Sequence, residues 1–268
     1  MAANTVIIDL RDESDYLASH HPNAANIPAR QLFELSHELP STHFALQLIG
    51  TDAQLAEAKH YFADKPYQID NAIPPISDAN WVCKQPIFHW QPSTLIQDWI
   101  DHRQSELQIN LGRALDIACG AGRDSLALAS AGWQMTAVDY SEDSISRLQR
   151  SSARCGVTID AKRMNLETPN FAWPSEWREQ FDLIHVARYL HRPLLPTLPS
   201  LLKPKGILLY QTFMQGAQHV GPCRPRNPKF LLEPNEVLLT LGNGLINEHL
   251  VHTLPDGRPL SVTIWQKA

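Results

Sequence analysis

The sequence predicts an α/β fold in two parts, a large open sheet preceded by a small α/β domain. Three observations carry that expectation. Residues 114–139, ALDIACGAGRDSLALASAGWQMTAVD, run from an apolar strand through a glycine turn and a helix into a second strand that stops at an acid. Further strand-like runs at 157–164, 181–187 and 207–213 alternate with helical stretches, the pattern of strands joined by helical crossovers. Adjacent Pro74 and Pro75 set this region apart from an earlier strand-and-helix segment, because paired prolines favour extended, unpaired chain.

With 268 residues, 43% hydrophobic and 19% charged, the chain can bury a sizeable core. No apolar run approaches the roughly 18 residues of a membrane span, and no basic region followed by an apolar segment opens the sequence. A cytoplasmic location and no membrane partner are expected. Cys83, Cys119, Cys155 and Cys223 are dispersed without paired spacing, which argues against a disulfide framework and against a metal site. The net charge of −5 is uneven: four Lys and Arg face ten Asp and Glu through Pro75, and 19 face 18 beyond it. That leaves no general basic footprint for nucleic acid, with only a local cluster in the C-terminal part left open.

Val6 to Leu10 reads as the first strand, followed by an acidic helical stretch and by SHHPNAANIP at 19–28. Ile8, Asp9, Arg11, Asp15, Tyr16, His20, Pro22, Ala24, Asn26, Ile27 and Pro28 resemble the opening of rhodanese domains, which reads IDVR, an acid-aromatic pair, then GHIPGAINIP. The resemblance implies a rhodanese-like domain over 1–70 whose nucleophilic cysteine would follow the strand at 44–49. Here that loop is Gly50, Thr51, Asp52, Ala53 and Gln54, and no cysteine precedes Cys83. Asp52 would also repel the anion such a pocket holds. An inactive domain is expected, which either docks a protein partner or only packs on its neighbour.

Residues 71–80 are assigned to the linker and 81–268 to the second domain. Residues 81–92 are aromatic-rich, and Phe88, His89 and Trp90 are candidates for a lid over a ligand, core packing being the alternative. Ser93 is placed to cap a helix reaching Leu107, with Leu95, Ile96, Trp99 and Ile100 apolar.

In the 114–139 stretch, Cys119 to Gly122 are small enough for backbone amides to approach a ligand, and the following helix directs its N-terminus the same way. An acid at the tip of the next strand, Asp139, can accept both hydroxyls of a ribose. The dinucleotide fingerprint fits only partly, since Ser125 stands where a third small residue belongs and the acid falls early. The stretch instead resembles motif I and the post-I acid of class I S-adenosylmethionine-dependent methyltransferases, whose usual form is D-x-G-x-G-x-G. Asp116, Gly120 and Gly122 match, and Ala118 replaces the first glycine. The resemblance runs from about Trp90 to the C-terminus. It implies a Rossmann-like seven-stranded sheet with an antiparallel last strand, and S-adenosyl-L-methionine as cofactor. Its methionine end would lie against Asp116, Ala118, Cys119, Gly120 and Gly122, its ribose against Asp139 and Tyr140, and its adenine against Asn165 and Leu166.

Ser141 is placed to cap a helix to about Arg154 with Ile145 and Leu148 inward. The strand at 157–164 ends at Asn165, with Glu167 a second acceptor for the adenine amino group. The strand FDLIHVA at 181–187 leads into a tip that faces the transferring methyl, since ligands bind beyond the carboxyl ends of such strands. His185, Tyr189 and His191 there are the candidate proton acceptors. No Asn-Pro-Pro-aromatic or Asp-Pro-Pro-aromatic tetrad occupies the tip, which disfavours methylation of adenine or glutamine nitrogens. A helix at 194–202, a turn at 203–206 and a strand at 207–213 follow. The connection 214–234 is rich in Gly, Pro and Arg. Arg188, Arg192, Arg224 and Arg226 are candidates to surround an anionic substrate, or else form a solvated or salt-bridged rim. A helix at 233–241 precedes a hairpin of strands at 245–252 and 260–266 around Pro255, Asp256 and Gly257, which an ordinary NAD domain lacks.

The C-terminal portion is similar to a bacterial subgroup related to the tellurite-resistance and thiopurine methyltransferases. The function expected is methyl transfer from S-adenosylmethionine to a small-molecule acceptor. Alternatives are a non-catalytic S-adenosylmethionine sensor that docks a partner through its first domain, a methyltransferase acting on RNA or protein, and a nicotinamide-dependent oxidoreductase.

Overall fold

The computed structural model describes residues 5–40, 42, 44–75, 81–83, 92–220, 225–254 and 257–268. The chain divides into two compact units, Met1–Gln91 and Pro92–Ala268.

The first unit is built on strands β1 (Thr5–Asp9), β2 (Ala24–Asn26), β3 (Ala45–Ile49) and β4 (Ile69–Ile73), with helices α1 (Glu13–Ala18) and α2 (Asp52–Phe62). The strands pair in the order β2-β1-β3-β4, all parallel. Ile8, Leu46, Leu48, Leu55 and Phe62 form its core. Residues of the 8–28 motif hold this scaffold together. Buried Asp9 takes a bidentate ion pair from Arg11, the Asn26 amide donates to the Asp9 and Arg11 carbonyls, and the Tyr16 hydroxyl donates to the Ala24 carbonyl.

Two boundaries differ from expectation. Residues 71–73 belong to β4, which pairs with β3 through Ile73, so the linker does not start at 71. Val82 forms a backbone bridge with His20, and the division falls after residue 91. The rest of the expected linker, 76–80, and the lid candidates Phe88, His89 and Trp90 lie outside the described residues.

The second unit opens with one continuous helical segment, α3 (Thr94–Asp98), a π turn over Trp99–Arg103 and α4 (Gln104–Glu106), which buries Leu95, Ile96 and Trp99. Then come β5 (Arg113–Ile117), α5 (Arg123–Ser130), β6 (Gln134–Asp139), α6 (Glu142–Arg154), β7 (Ile159–Arg163), β8 (Phe181–Ala187), β9 (Leu202–Phe213), α7 (Glu236–Leu241), β10 (Gly244–Thr253) and β11 (Pro259–Lys267). The sheet order is β10-β11-β9-β8-β5-β6-β7. Neighbours from β9 through β7 run parallel, and β11 is antiparallel to both β9 and β10. This is the Rossmann-like sheet with an inserted antiparallel final strand.

Two local expectations are corrected. The helix expected at 194–202 is 3-10 over Arg192–Ser200. Pro193, Pro196 and Pro199 recur every third residue, so the missing donors match a three-residue turn and deny the chain α-helical bonding. The turn expected at 203–206 is an irregularity inside β9, where Lys205 sits at φ 63 and the pairing with β8 shifts register.

Candidate active site

The loop after β5 is shaped by left-handed backbone. Gly120 and Gly122 have φ of 56 and 79, conformations that glycine adopts without strain. Ala118 also sits at φ 55, so the residue standing in for the usual first glycine carries the strain that glycine would avoid. Space adds a second demand at Gly122, where an added Cβ would lie 2.2 Å from Leu148 Cδ1 of α6.

Asp139 ends β6 and is 7% exposed. Its Oδ2 accepts from the Gly120 amide at 2.9 Å and its Oδ1 from the Ser141 amide at 2.9 Å. The loop and the α6 cap therefore fix the carboxylate while each oxygen keeps capacity for a further donor. Asp139 lines a cavity of about 440 Å³ with Ala118, Tyr140, Met164, Asn165, Leu166, Glu167, Tyr189 and Phe230. That volume lies in the usual range for small-ligand sites, roughly 300–1,000 Å³. A fixed carboxylate for a ribose, apolar Met164, Leu166 and Phe230 for a flat base, and a carboxylate at Glu167 fit S-adenosylmethionine.

A second cavity of about 730 Å³ shares Leu166 and Glu167 with the first and continues along 168–175 to His191, Pro193, Leu194 and Thr197. Phe171 and Trp173 meet edge to face on its wall, at 5.0 Å between ring centroids.

The expected cofactor residues separate into two groups. Ala118, Asp139, Tyr140, Asn165 and Leu166 meet in the smaller cavity, and Cys119, Gly120 and Gly122 form the loop beside it. Asp116 does not reach it. At 2% exposure it accepts from the Ser125 hydroxyl at 2.5 Å and from His185 Nδ1 at 2.9 Å, so the expected direct contact with the methionine end is corrected. Burial, reinforced by the charges of Asp116 and Asp139, pushes the Cys119 thiol well above its usual range. The Asn165 side-chain oxygen accepts from the Glu167 amide and keeps capacity for one further donor, while the Glu167 carboxylate hydrogen-bonds with the Tyr189 side chain, so both remain acceptors for an adenine amino group.

The candidate bases also separate. His185 is 1% exposed and enclosed by Asp116 and Asp124, so it cannot meet a substrate. Tyr189 lines the smaller cavity, but burial and the Glu167 carboxylate beside it raise its pKa, which keeps it a neutral phenol rather than a base. His191, half-buried, lines the larger cavity.

Among the described residues the arginine cluster does not assemble. Arg192 Nε and Nη2 grip Glu236 at 2.5 and 3.0 Å, and its Nη1 and Nη2 donate to the Lys229 and Leu231 carbonyls at 2.7 and 2.9 Å. It anchors the 228–236 segment rather than a substrate. Arg188 and Arg226 are exposed, neither lines these two cavities, and Arg224 lies outside the described residues. Sequence reasoning missed Phe230 and Met164 as walls, and missed Asp124. Phe230 left one signal, the aromatic that ends the Gly, Pro and Arg-rich connection.

No helix among the described residues is long and apolar enough to cross a membrane, and no group of three His, Cys, Asp or Glu among them is arranged for a metal ion.

Comparison with known proteins agrees with the geometry. Residues 114–206 match the family described as a methyltransferase domain. An uncharacterized protein of Schizosaccharomyces pombe is 22% identical across 97% of this chain and 93% of its own length, so the likeness runs through both units. A ubiquinone biosynthesis O-methyltransferase of Actinobacillus pleuropneumoniae is 30% identical over 37% of this chain, and the match spans 45% of that enzyme, about half its length. The solved structure of an S-adenosylmethionine-dependent methyltransferase from Clostridium acetobutylicum shares the fold, at a TM-score of 0.51 and 14% identity, covering 66% of this chain and 93% of that one. Residues 114–206 carry the methyltransferase-domain match, the C-terminal unit has the fold of an S-adenosylmethionine-dependent methyltransferase, and S-adenosylmethionine is the cofactor that domain implies.

Proposed function

We propose that this chain methylates a small molecule, at a hydroxyl oxygen, and that the acceptor enters through the cavity bordered by Phe171, Trp173 and His191. The observation that carries the reading is the shared Leu166–Glu167 wall, which sets a roomy, aromatic-lined cavity beside the one fixed by Asp139. The O-methyltransferases of ubiquinone biosynthesis among the relatives support an oxygen acceptor. Bound S-adenosylmethionine supplies an electrophilic methyl on a sulfonium. The protein then contributes alignment and exclusion of water, effects that reach roughly 7–11 kcal/mol in well-oriented systems. Asp139 holds the ribose, Glu167 meets the adenine amino group, and His191 takes the hydroxyl proton as the oxygen–carbon bond forms.

The N-terminal unit, in this reading, is a rhodanese-like module that docks a protein partner without sulfur chemistry. Support comes from the loop after β3, where the Thr51 hydroxyl accepts from the Gln54 amide and the Gln54 side chain accepts from the Thr51 amide. This reciprocal cap spends on itself amides that an anion site would need.

The test is calorimetric titration of S-adenosylmethionine and S-adenosylhomocysteine into the full chain and Asp139→Ala, followed by release of S-adenosylhomocysteine with hydroxylated aromatic compounds. Micromolar binding lost in the variant, with turnover that falls in His191→Ala, is the expected result. Binding without turnover across acceptors favours the sensor reading, and turnover unchanged in His191→Ala removes that residue as the base.

A further inference from the structure

Four side chains and one backbone amide form a buried line behind the glycine loop. Ser125 Oγ donates to Asp116 Oδ2 at 2.5 Å, and His185 Nδ1 lies 2.9 Å from Asp116 Oδ1. On the far side of the ring, His185 Nε2 is buried with no hydrogen-bond partner and faces Asp124 Oδ2 at 3.6 Å. Asp124 Oδ1 in turn accepts the Ser93 amide at 2.6 Å. Asp116, Asp124, Ser125 and His185 are each no more than 8% exposed.

The placement bears on the loop from both ends. Asp116 lies two residues before Ala118, Asp124 and Ser125 lie two and three residues after Gly122 in the first turn of α5, and Ser93 caps α3. Asp116 and His185 are register partners on β5 and β8. We propose that His185 is a positioning residue for cofactor binding: as an imidazolium it clamps Asp116 to Asp124, and so fixes both ends of the 118–122 loop together with the start of α3.

Electrostatics support this. Two buried carboxylates facing one ring sum to two negative charges when the ring is neutral and to one when it is a cation, and unpaired buried charge is costly, so protonation of the ring is favoured. The charged groups facing the ring are Asp116 from β5 and Asp124 and Arg123 from α5; its β9 register partner, Leu209, is apolar. Burial works against protonation and Arg123 opposes it, yet the two aspartates prevail and the pKa is raised above 6.5. A raised folded-state pKa means the clamp's contribution is fully present below the unfolded value of about 6.5. It is lost as pH rises through the folded value.

The inference rests on the cofactor site at Asp139, and the test separates the two. Affinity for S-adenosylhomocysteine is measured by calorimetry from pH 6 to 9 in the wild type, His185→Asn and Asp124→Asn, beside the pH titration of the His185 ring by NMR in the ligand-free full chain. Asn at 185 keeps an amide toward Asp116 without the charge, and Asn at 124 keeps the oxygen for Ser93. Expected are a His185 ring that titrates above the free value of about 6.5, a wild-type affinity that falls at least about tenfold as it deprotonates, a His185→Asn profile without that fall, and a midpoint moved to lower pH in Asp124→Asn. A ring neutral at pH 6.5, or a His185→Asn profile parallel to wild type, overturns the proposal. If His185→Asn does not fold, the Asp124→Asn midpoint and the ring titration decide it. Failure of the wild type to bind the ligand at all refutes the cofactor site instead, and the ring titration then decides the clamp.

Discussion

Gly122→Ala tests the loop geometry most directly, because two independent costs meet at one atom. The residue sits at φ 79, and left-handed backbone costs an L-residue roughly 1–2 kcal/mol. The new Cβ would lie 2.2 Å from Leu148 Cδ1 and 2.9 Å from its Cδ2 and Cγ, and fully buried Leu148 cannot swing into solvent. Overpacking of that kind costs about 1–3 kcal/mol. The stiffer unfolded chain returns about 0.4–1 kcal/mol. The net loss is then centred near 3 kcal/mol, which lowers the melting temperature by about 6–12 °C for a unit of this size. Gly120→Ala is the internal control: its φ is 56, but nothing lies within 4 Å of the added Cβ, so only strain remains and the drop is about 2–4 °C. Calorimetric melting of both variants, of Leu148→Ala and of the pair Gly122→Ala with Leu148→Ala completes a double-mutant cycle. The pair is expected to be less damaged than the sum of its parts by about 1–3 kcal/mol, since removing Leu148 vacates the space the methyl needs. Equal melting temperatures for Gly120→Ala and Gly122→Ala, or strict additivity in the cycle, would refute the packing of α6 against the loop.

Ala118→Gly is expected to raise the melting temperature by about 1–4 °C, because relief of a left-handed alanine outweighs the freer unfolded chain, and a fall would contradict its φ of 55. Iodoacetamide at pH 8 is expected to label exposed Cys83 at least about tenfold faster than Cys119, whose thiol burial holds in the unreactive protonated form; peptide mass mapping reads the two rates. Arg192→Ala is expected to cost about 1–2 kcal/mol, discounted for the partial exposure of its pair with Glu236, and to weaken S-adenosylhomocysteine binding severalfold by freeing the carbonyls on either side of Phe230. Unchanged stability with impaired turnover alone would return Arg192 to the substrate.

The strands of the large sheet, the glycine turn and Asp139 were legible because each rests on local information: short apolar runs, small residues in sequence, an acid at a strand tip. What escaped depended on partners far along the chain or on counts of missing donors. Strand β4 is an edge strand with no fully buried residue and no in-and-out alternation, so its residues 71–73 read as linker. The 3-10 segment was legible in principle from prolines spaced by three, but its leucines imitate a helical face. The arginines of the 188–226 region suggested an anion site by number alone, and Arg192 turned out to be spent on Glu236, which is 44 residues away in sequence.

The two acids of the motif show why identity and position were not enough to assign roles. Asp116, one residue short of the end of β5, and Asp139, at the end of β6, lie on neighbouring parallel strands and are almost equally buried, at 2% and 7%. What separates them is the kind of donor each receives. Asp139 takes one backbone amide on each oxygen, donors that any side chains would supply, and it opens on a cavity. Asp116 takes a hydroxyl from Ser125 and a ring from His185, donors that exist only because those residues stand at those positions. Asp139 can therefore be read from backbone geometry and serve a ligand directly. The role of Asp116 depends on His185, 69 residues later, and its effect on a ligand must pass through the loop it anchors.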